Sequence, residues 1–239
     1  MVRIFKFKPD ADNKVFSLQD LNFLWKINKQ GGNYTTQNIK VNGAIESISI
    51  DPSSRHLAVG SDKGYVSIIN MEGPALISQK HIASESNTGV MQIEFSTLSG
   101  SGKSVLLVGM EDSSVFALEG DTGNMLSNSM VHPKKPSRAL FMQIIDGPDA
   151  SVKGDVIKEN ALKESLLLVC SEKAVRLYSL SHVIQGIKKA YNKKKLQGVC
   201  CWASTFYSPC LDPGLILVFT NGKVEIRSIP DLTLIKETH

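Results

Sequence analysis

One short stretch of the chain resembles a nucleotide-binding loop. In SGSGKSVLLVG (residues 99–109), Gly102-Lys103-Ser104 matches the end of a phosphate-binding loop, in which backbone N–H groups and a lysine hold phosphate. The full motif also needs a glycine five positions before Gly102, where Thr97 lies instead. A helix must follow such a loop, but the apolar VLLVG predicts a strand. We therefore expect a turn between two strands here, and no nucleotide site.

Other residue types that do chemistry show no spacing typical of a catalytic or metal site. The four cysteines, Cys170, Cys200, Cys201 and Cys210, form no CxxC pair, so we interpret them as buried, reduced thiols in strands. The histidines are scattered, and no serine lies in a Gly-x-Ser-x-Gly elbow. We expect no metal, no cofactor, no small-molecule substrate and no enzymatic activity.

The lysine-rich segment KKAYNKKK concentrates positive charge at one place. The chain has a net charge of +4, so this segment accounts for the whole positive excess, and nucleic-acid binding is not expected. Three interpretations stay open: a solvated loop or outer strand, a contact with anionic lipid headgroups, and a contact with an acidic partner helix. The candidate residues are Lys188, Lys189, Lys193, Lys194 and Lys195.

The composition is that of a soluble globular protein. The chain has 239 residues, of which 42% are hydrophobic and 21% charged, which is enough for a substantial core. No apolar run approaches the roughly 20 residues of a membrane-spanning helix. The N-terminus, MVRIFKFKPD, lacks the pattern of a secretory signal. We expect a cytosolic protein.

The chain is built from repeats. Four segments share an apolar run, a short polar turn and an alternating run: HLAVGSDKGYVSIIN, VLLVGMEDSSVFALE, LLLVCSEKAVRLYSL and LILVFTNGKVEIRSI. The longest interval between repeats contains a polar stretch, residues 146–164, which we interpret as an inserted loop. The valine that opens each alternating run marks the repeat; these are Val66, Val115, Val175 and Val224.

Each repeat predicts four antiparallel strands. An alternating strand such as MQIEFST comes first, and the next strand is apolar on both faces, which is typical of a sheet covered on both sides. Lys63-Gly64 and Asn221-Gly222 supply the tight turn to the third strand. The fourth strand is polar, as an outer edge strand should be. We therefore predict an all-β WD-repeat β-propeller of about four four-stranded blades plus part of a fifth, forming an incomplete, open arc.

The predicted boundaries follow from these repeats. For residues 181–195 the sequence leaves a short helix and an outer strand equally open. We assign residues 1–28 to the end of a preceding blade, 29–43 to a linker, and four blades to 44–82, 89–131, 138–195 and 198–238.

The blades resemble degenerate WD repeats that lack the Trp-Asp dipeptide. Three segments resemble, more specifically, the lethal giant larvae and tomosyn family, and in particular its plant tomosyn-like members. They are LEGDTGNMLSNSMVHPKKPSRALFMQIIDG (118–147), LLLVCSEKAVRLYSL (166–180) and LVFTNGKVEIRSIPDLTLIKET (216–237). The resemblance extends over residues 40–237 and is most specific over 118–180.

This resemblance implies a function. Members of the family carry two consecutive propellers, many with a C-terminal SNARE-like helix, bind syntaxin-type SNARE proteins, and regulate vesicle fusion and exocytosis. The chain would then be part of a second propeller, a non-enzymatic cytoplasmic scaffold peripheral to the plasma membrane. It lacks the heptad pattern of the SNARE-like helix. The alternative is a generic WD-repeat adaptor in another assembly, such as a ubiquitin ligase or a trafficking coat.

Overall fold

The described part of the chain is almost entirely β-structure. The structure, a computed structural model, contains nineteen strands and one short helix in this part, and the strands form five sheets in which neighbours in sequence are neighbours in space. This confirms the predicted all-β class. Side chains are described from residue 38 onward. The described residues are 3–6, 15–19, 23–30, 33–73, 75–82, 88–98, 102–126, 130–147, 164–207 and 213–238.

The first sheet corrects a predicted boundary. It has four antiparallel strands, although residues 29–43 were expected to be a linker. The segment NYTTQNIK is largely polar, with Ile39 as its one aliphatic residue, and an outer strand needs no continuous apolar face, so its sequence looks like a linker. The strands are β1 (Arg3–Lys6), β2 (Val15–Gln19), β3 (Phe23–Gln30) and β4 (Asn33–Lys40).

The second sheet lies within the predicted blade 44–82. The hairpin between its second and third strands turns at Gly64, whose φ of 73° favours glycine, and the Gly64 N–H donates to the Ser61 carbonyl at 3.0 Å. The side chains of Leu57, Val59 and Ile69 form the centre of its core. The strands are β5 (Ile45–Ile50), β6 (His56–Ser61), β7 (Tyr65–Asn70) and β8 (Ala75–His81).

The third sheet has three described strands where the repeat predicts four. The predicted fourth strand, NMLSNSM, includes residues 127–129, which lie outside the described residues. Beyond them, Val131 pairs with Val115 as an isolated bridge, with N–H to carbonyl distances of 2.9 Å in both directions. The strands are β9 (Val90–Thr97), β10 (Ser104–Met110) and β11 (Val115–Glu119).

The fourth sheet settles the alternatives left open for residues 181–195. Both structures occur: a short helix, α1 (Leu180–Ile184), is followed by an outer strand. Most of the predicted inserted loop, 146–164, lies outside the described residues. The strands are β12 (Ala139–Ile145), β13 (Leu166–Ser171), β14 (Ala174–Ser179) and β15 (Asn192–Lys195).

The fifth sheet lies within the predicted blade 198–238. Its second hairpin turns at Gly222, with a φ of 86°, and the Gly222 N–H donates to the Phe219 carbonyl at 3.0 Å. The strands are β16 (Cys200–Tyr207), β17 (Pro213–Phe219), β18 (Val224–Ser228) and β19 (Leu234–Thr238).

The chain divides into two compact units. One comprises residues 1–108 and 118–124, and the other comprises 109–117 and 125–239. The second unit has a continuous core in which alternate residues of β13 and β14 pack against β16 and β17. Val175, Leu177, Leu215 and Leu217 are fully buried in this core. The facing sides of the fourth and fifth sheets are therefore held together by apolar contact.

Candidate partner-binding groove

The stretch that resembles a phosphate-binding motif lies between two neighbouring strands of one sheet, β9 and β10, and its residues 99–101 lie outside the described residues. The Leu98 N–H donates to the Lys103 carbonyl at 2.9 Å, and the Gly102 N–H donates to the Leu98 carbonyl at 3.2 Å. Strand β10 begins directly at Ser104, which confirms the predicted strand. From Gly102 onward, where this stretch is described, it therefore offers no helix N-terminus to a phosphate.

A serine, a histidine and an aspartate meet near the turn between β10 and β11. The Ser114 Oγ lies 2.5 Å from the His132 Nδ1, and the Asp112 carboxylate lies 3.7 Å from the same nitrogen. In a hydrolase triad the serine and the carboxylate contact different ring nitrogens. Ser114 is also buried. This cluster holds the turn in place and is not arranged for nucleophilic catalysis.

The cysteines do not share one environment, which corrects their predicted burial. Cys170 and Cys200 are buried, but Cys201 is exposed, and Cys210 lies outside the described residues. A β-bulge between Cys200 and Trp202 turns both Cys201 and Trp202 toward solvent. No group of His, Cys, Asp and Glu among the described residues has the arrangement of a metal site.

The predicted lysine cluster falls into two parts. Lys188 and Lys189 are exposed in the connection after α1, whereas the other three form most of β15. Beside β15 lies a groove of about 530 Å³, between this outer strand and the strands β18 and β19. We call it the basic groove. Its basic lining residues are Lys193, Lys194, Lys195, Lys223 and Arg227.

The pairing of β15 with β14 determines how the groove is oriented. Lys194 lies opposite Val175, and Asn192 lies opposite Leu177. Residues directly opposite each other project from the same face of a sheet. Since Val175 and Leu177 point into the core shared with the fifth sheet, Lys194 and Asn192 also face that sheet.

Asn192 connects the two sheets at one end of the groove. Its Nδ2 donates to the carbonyl oxygens of Pro230 at 3.1 Å and Asp231 at 3.0 Å, in the turn before β19. Its Oδ1 accepts a hydrogen bond of 2.8 Å from the Lys193 N–H. A single amide therefore fixes β15 relative to the turn that forms the opposite wall of the groove.

The opposite wall carries a buried network of charges on β18. Glu225 and Arg227 lie opposite Leu217 and Leu215, so they face the fourth sheet although they are charged. The Arg227 Nη2 and Nε donate to the Glu225 Oε2 at 2.6 Å and 2.8 Å. The Arg227 Nη1 donates to the Leu232 carbonyl at 2.9 Å. Both side chains are buried.

Lys223 joins this network to the outer strand. Its Nζ lies 2.9 Å from the Glu225 Oε1 and 2.6 Å from the Glu237 Oε2, and Glu225 and Glu237 lie directly opposite each other on β18 and β19. Burial raises the pKa of Glu225, but hydrogen bonds from Lys223 and Arg227 lower it by more, so it lies below its usual value of 4.5. The hydrogen bonds to Glu237 and Glu225 raise the pKa of Lys223.

The network on β18 was not predicted from the sequence, although a signal for it exists. In the alternating runs that begin at the marker valines, the position of Arg227 corresponds to Ile69 in the second sheet and Tyr178 in the fourth. Both of those residues are buried. A charge where the other repeats bury an apolar or aromatic side chain breaks the repeat pattern, and such a break is typical of a functional position.

Comparison with known proteins identifies the fold. No family model and no curated protein matches the sequence. Among solved structures, the WD40 β-propeller domain of Doa1 is 12% identical, with a TM-score of 0.57 over 95% of this chain and 66% of that one. BBS1N, solved in complex with ARL6DN, is 10% identical, with a TM-score of 0.60 over 94% of this chain and 63% of that one.

These similarities identify the fold but do not identify a function or a protein family. The chain spans less than two thirds of the length of these two structures. In total, 1362 chains of solved structures match, so the fold by itself does not select one function among them. At 10% to 12% identity, the comparisons show that the chain has the fold of a WD40 β-propeller.

Proposed function

We propose that this chain is a non-enzymatic interaction scaffold, part of a tomosyn-like protein that binds syntaxin-type SNARE proteins and regulates vesicle fusion and exocytosis. The proposal combines the sequence resemblance with the fold. LLLVCSEKAVRLYSL, which resembles the family, forms β13, β14 and the start of α1. A propeller sheet at this position is what the resemblance requires, and this is the observation that carries the proposal.

The described residues are consistent with a role in binding. The Ser114, His132 and Asp112 cluster lacks the geometry of a hydrolase triad. The basic groove, by contrast, is open to solvent and lined by charged side chains. No helix in the described part of the chain is long and apolar enough to cross a membrane. A peripheral position at the plasma membrane belongs to the same proposal.

A binding experiment with purified components tests this function. The chain is immobilised and incubated with the soluble part of a syntaxin-type SNARE, and with a helical coiled-coil protein of similar net charge as the control. We expect saturable retention of the SNARE protein and no retention of the control. Equal retention of both proteins, or of neither, would contradict the proposal.

A generic adaptor in another assembly is the second candidate. One solved structure with a similar fold is of BBS1N in complex with ARL6DN, so a related fold holds a protein partner of another class. Affinity capture of the chain from cells, followed by mass spectrometry, distinguishes the two candidates. Enrichment of SNARE proteins favours the first, whereas enrichment of subunits of a coat or a ubiquitin ligase favours the second.

A further inference from the structure

We infer that the basic groove binds a short acidic polypeptide segment, whose carboxylates pair with Lys193, Lys194 and Lys195. This inference rests on the proposed interaction role and adds to it a surface and a chemical class of ligand. It depends on three features of the groove: its charge balance, its shape and the nature of its walls.

The groove has an excess of positive charge, because five basic side chains and only three carboxylates, those of Glu225, Asp231 and Glu237, line it. On the opposite wall, Lys223 and Arg227 pair with Glu225 and Glu237, so those four charges cancel. No ion pair within the described part of the chain involves any of the three lysines of β15. They are consecutive and exposed, and successive residues of a strand are only about 3.3 Å apart along its axis. An acidic ligand would relieve this accumulation of like charge.

The geometry directs part of this charge into the groove. Lys194 lies on the same face of its sheet as Val175, toward the fifth sheet. Lys193 and Lys195 lie on the other face of β15, but both also line the groove. Asn192 holds the two walls together through the carbonyls of Pro230 and Asp231. The site is therefore built before any ligand arrives, which lowers the entropic cost of binding.

The walls favour a polypeptide over a membrane surface. The groove is concave, with a volume of about 530 Å³, and a flat layer of headgroups cannot fill it. Leu234 offers an apolar contact, while Gln197 and Thr233 offer hydrogen-bonding groups. The carboxylate of Asp231 also lines the groove and would repel a continuous anionic surface. A peptide can place acidic side chains next to the lysines and other side chains next to Leu234.

Binding of defined probes to the full chain tests the inference. The probes are a fluorescent peptide of alternating glutamate and serine, a peptide in which glutamine replaces glutamate, and vesicles containing phosphatidylserine. The groove variant is Lys193→Gln/Lys194→Gln/Lys195→Gln. The matched control, Lys188→Gln/Lys189→Gln/Lys236→Gln, removes the same number of exposed charges outside the groove.

We expect the acidic peptide to bind the unmodified chain more tightly than the glutamine peptide does. In the groove variant its affinity should fall about tenfold, which corresponds to about 1.4 kcal/mol, since three partly exposed ion pairs with the peptide are lost. The control variant should bind about as well as the unmodified chain. Thermal melting of both variants verifies that they are folded.

Three outcomes would overturn the inference. The first is equal weakening by both variants, which would mean that only the overall charge matters. The second is a combined result: the vesicles bind through the three groove lysines, and the chain does not prefer the acidic peptide to the glutamine peptide. The third is retention of the SNARE protein without any binding of the acidic peptide, which would remove this inference and leave the proposed function standing. Peptide binding without SNARE retention would instead support the groove and contradict the proposed function.

Discussion

Arg227 donates two hydrogen bonds to one carboxylate oxygen of Glu225, two residues away on the same strand, and both side chains are buried. Side chains two apart on a strand share a face, and here that face is directed at the fourth sheet. A buried charge is tolerated only when it is paired and hydrogen-bonded. The pair therefore forms a rigid, internally neutral wall for the basic groove.

Replacing Arg227 alone should destabilise the protein strongly. Arg227→Ile removes three donors from the network and leaves the Glu225 Oε2 and the Leu232 carbonyl without this partner. Loss of one member of a buried ion pair typically costs about 3–5 kcal/mol. Urea unfolding followed by tryptophan fluorescence measures the loss.

The control is the double variant Glu225→Ser/Arg227→Ile, which introduces the residue types of Ser67 and Ile69 from the second sheet. Because no unpaired buried charge remains on β18, this variant should be more stable than Arg227→Ile. A double variant that is less stable than Arg227→Ile would show that the network stabilises the sheet in another way.

The stabilising contribution of Glu225 should depend on pH. Its pKa in the folded protein lies below the usual 4.5, because hydrogen bonds from Lys223 and Arg227 outweigh the effect of burial. A carboxyl group with a lowered pKa stabilises the fold above its unfolded pKa, and this stabilisation is lost as the pH falls through the folded pKa. The urea midpoints of the unmodified protein and of Glu225→Gln should therefore converge as the pH falls from neutral to below 4.5. A constant difference in midpoint would exclude this linkage.

The sequence predicts the inner strands well and the outer strands poorly. Strands such as β10 and β13 are apolar on both faces, so their composition reveals them. The sequence of strand β4 predicts a linker, because an outer strand is largely polar. For residues 181–195 the sequence does not distinguish a helix from an outer strand. Neither α1 nor β15 is long enough to show a clear periodicity.

The basic groove was predictable only in part. The lysines of β15 are visible in the sequence as a charge cluster. Its opposite wall lies about 30 to 40 residues further along the chain and is brought close by the packing of two sheets and by Asn192. A contact between residues so far apart in the sequence cannot be predicted from local sequence patterns. The repeat alignment provides the one local indication, which is a buried charge at Arg227 where Ile69 and Tyr178 are found in other sheets.

Gly60, at the end of the LAVG motif, should not tolerate a side chain. A Cβ atom there would lie 2.4 Å from the Val90 Cγ1 and 3.0 Å from the Val90 Cβ. Since Val90 is fully buried, Gly60→Ala should destabilise the protein by about 1–3 kcal/mol. Gly73→Ala is the control, because no atom lies within 4 Å of the added Cβ. Equal thermal unfolding temperatures for the two variants would refute the close approach of β6 and β9.

The cysteines should differ in reactivity. Burial raises the pKa of both Cys170 and Cys200, and the thiolate is the reactive form, whereas Cys201 is exposed. In a Cys210→Ser background, iodoacetamide should modify Cys201 in the native protein and the other two thiols only after unfolding. Mass spectrometry of the labelled peptides measures this. Modification of Cys170 at the same rate as Cys201 would contradict the described core, and Cys201→Ser in the same background is the control.

Hydrogen exchange of the full chain, with and without the soluble part of a syntaxin-type SNARE, tests the central claim most directly. We predict that the complex forms and slows exchange along β15 (Asn192–Lys195) and β19 (Leu234–Thr238), which border the basic groove. The outer strand β8 (Ala75–His81), in the other compact unit, should be unchanged. Failure to form a complex, or a complex that protects β8 and leaves β15 and β19 unchanged, would contradict the account.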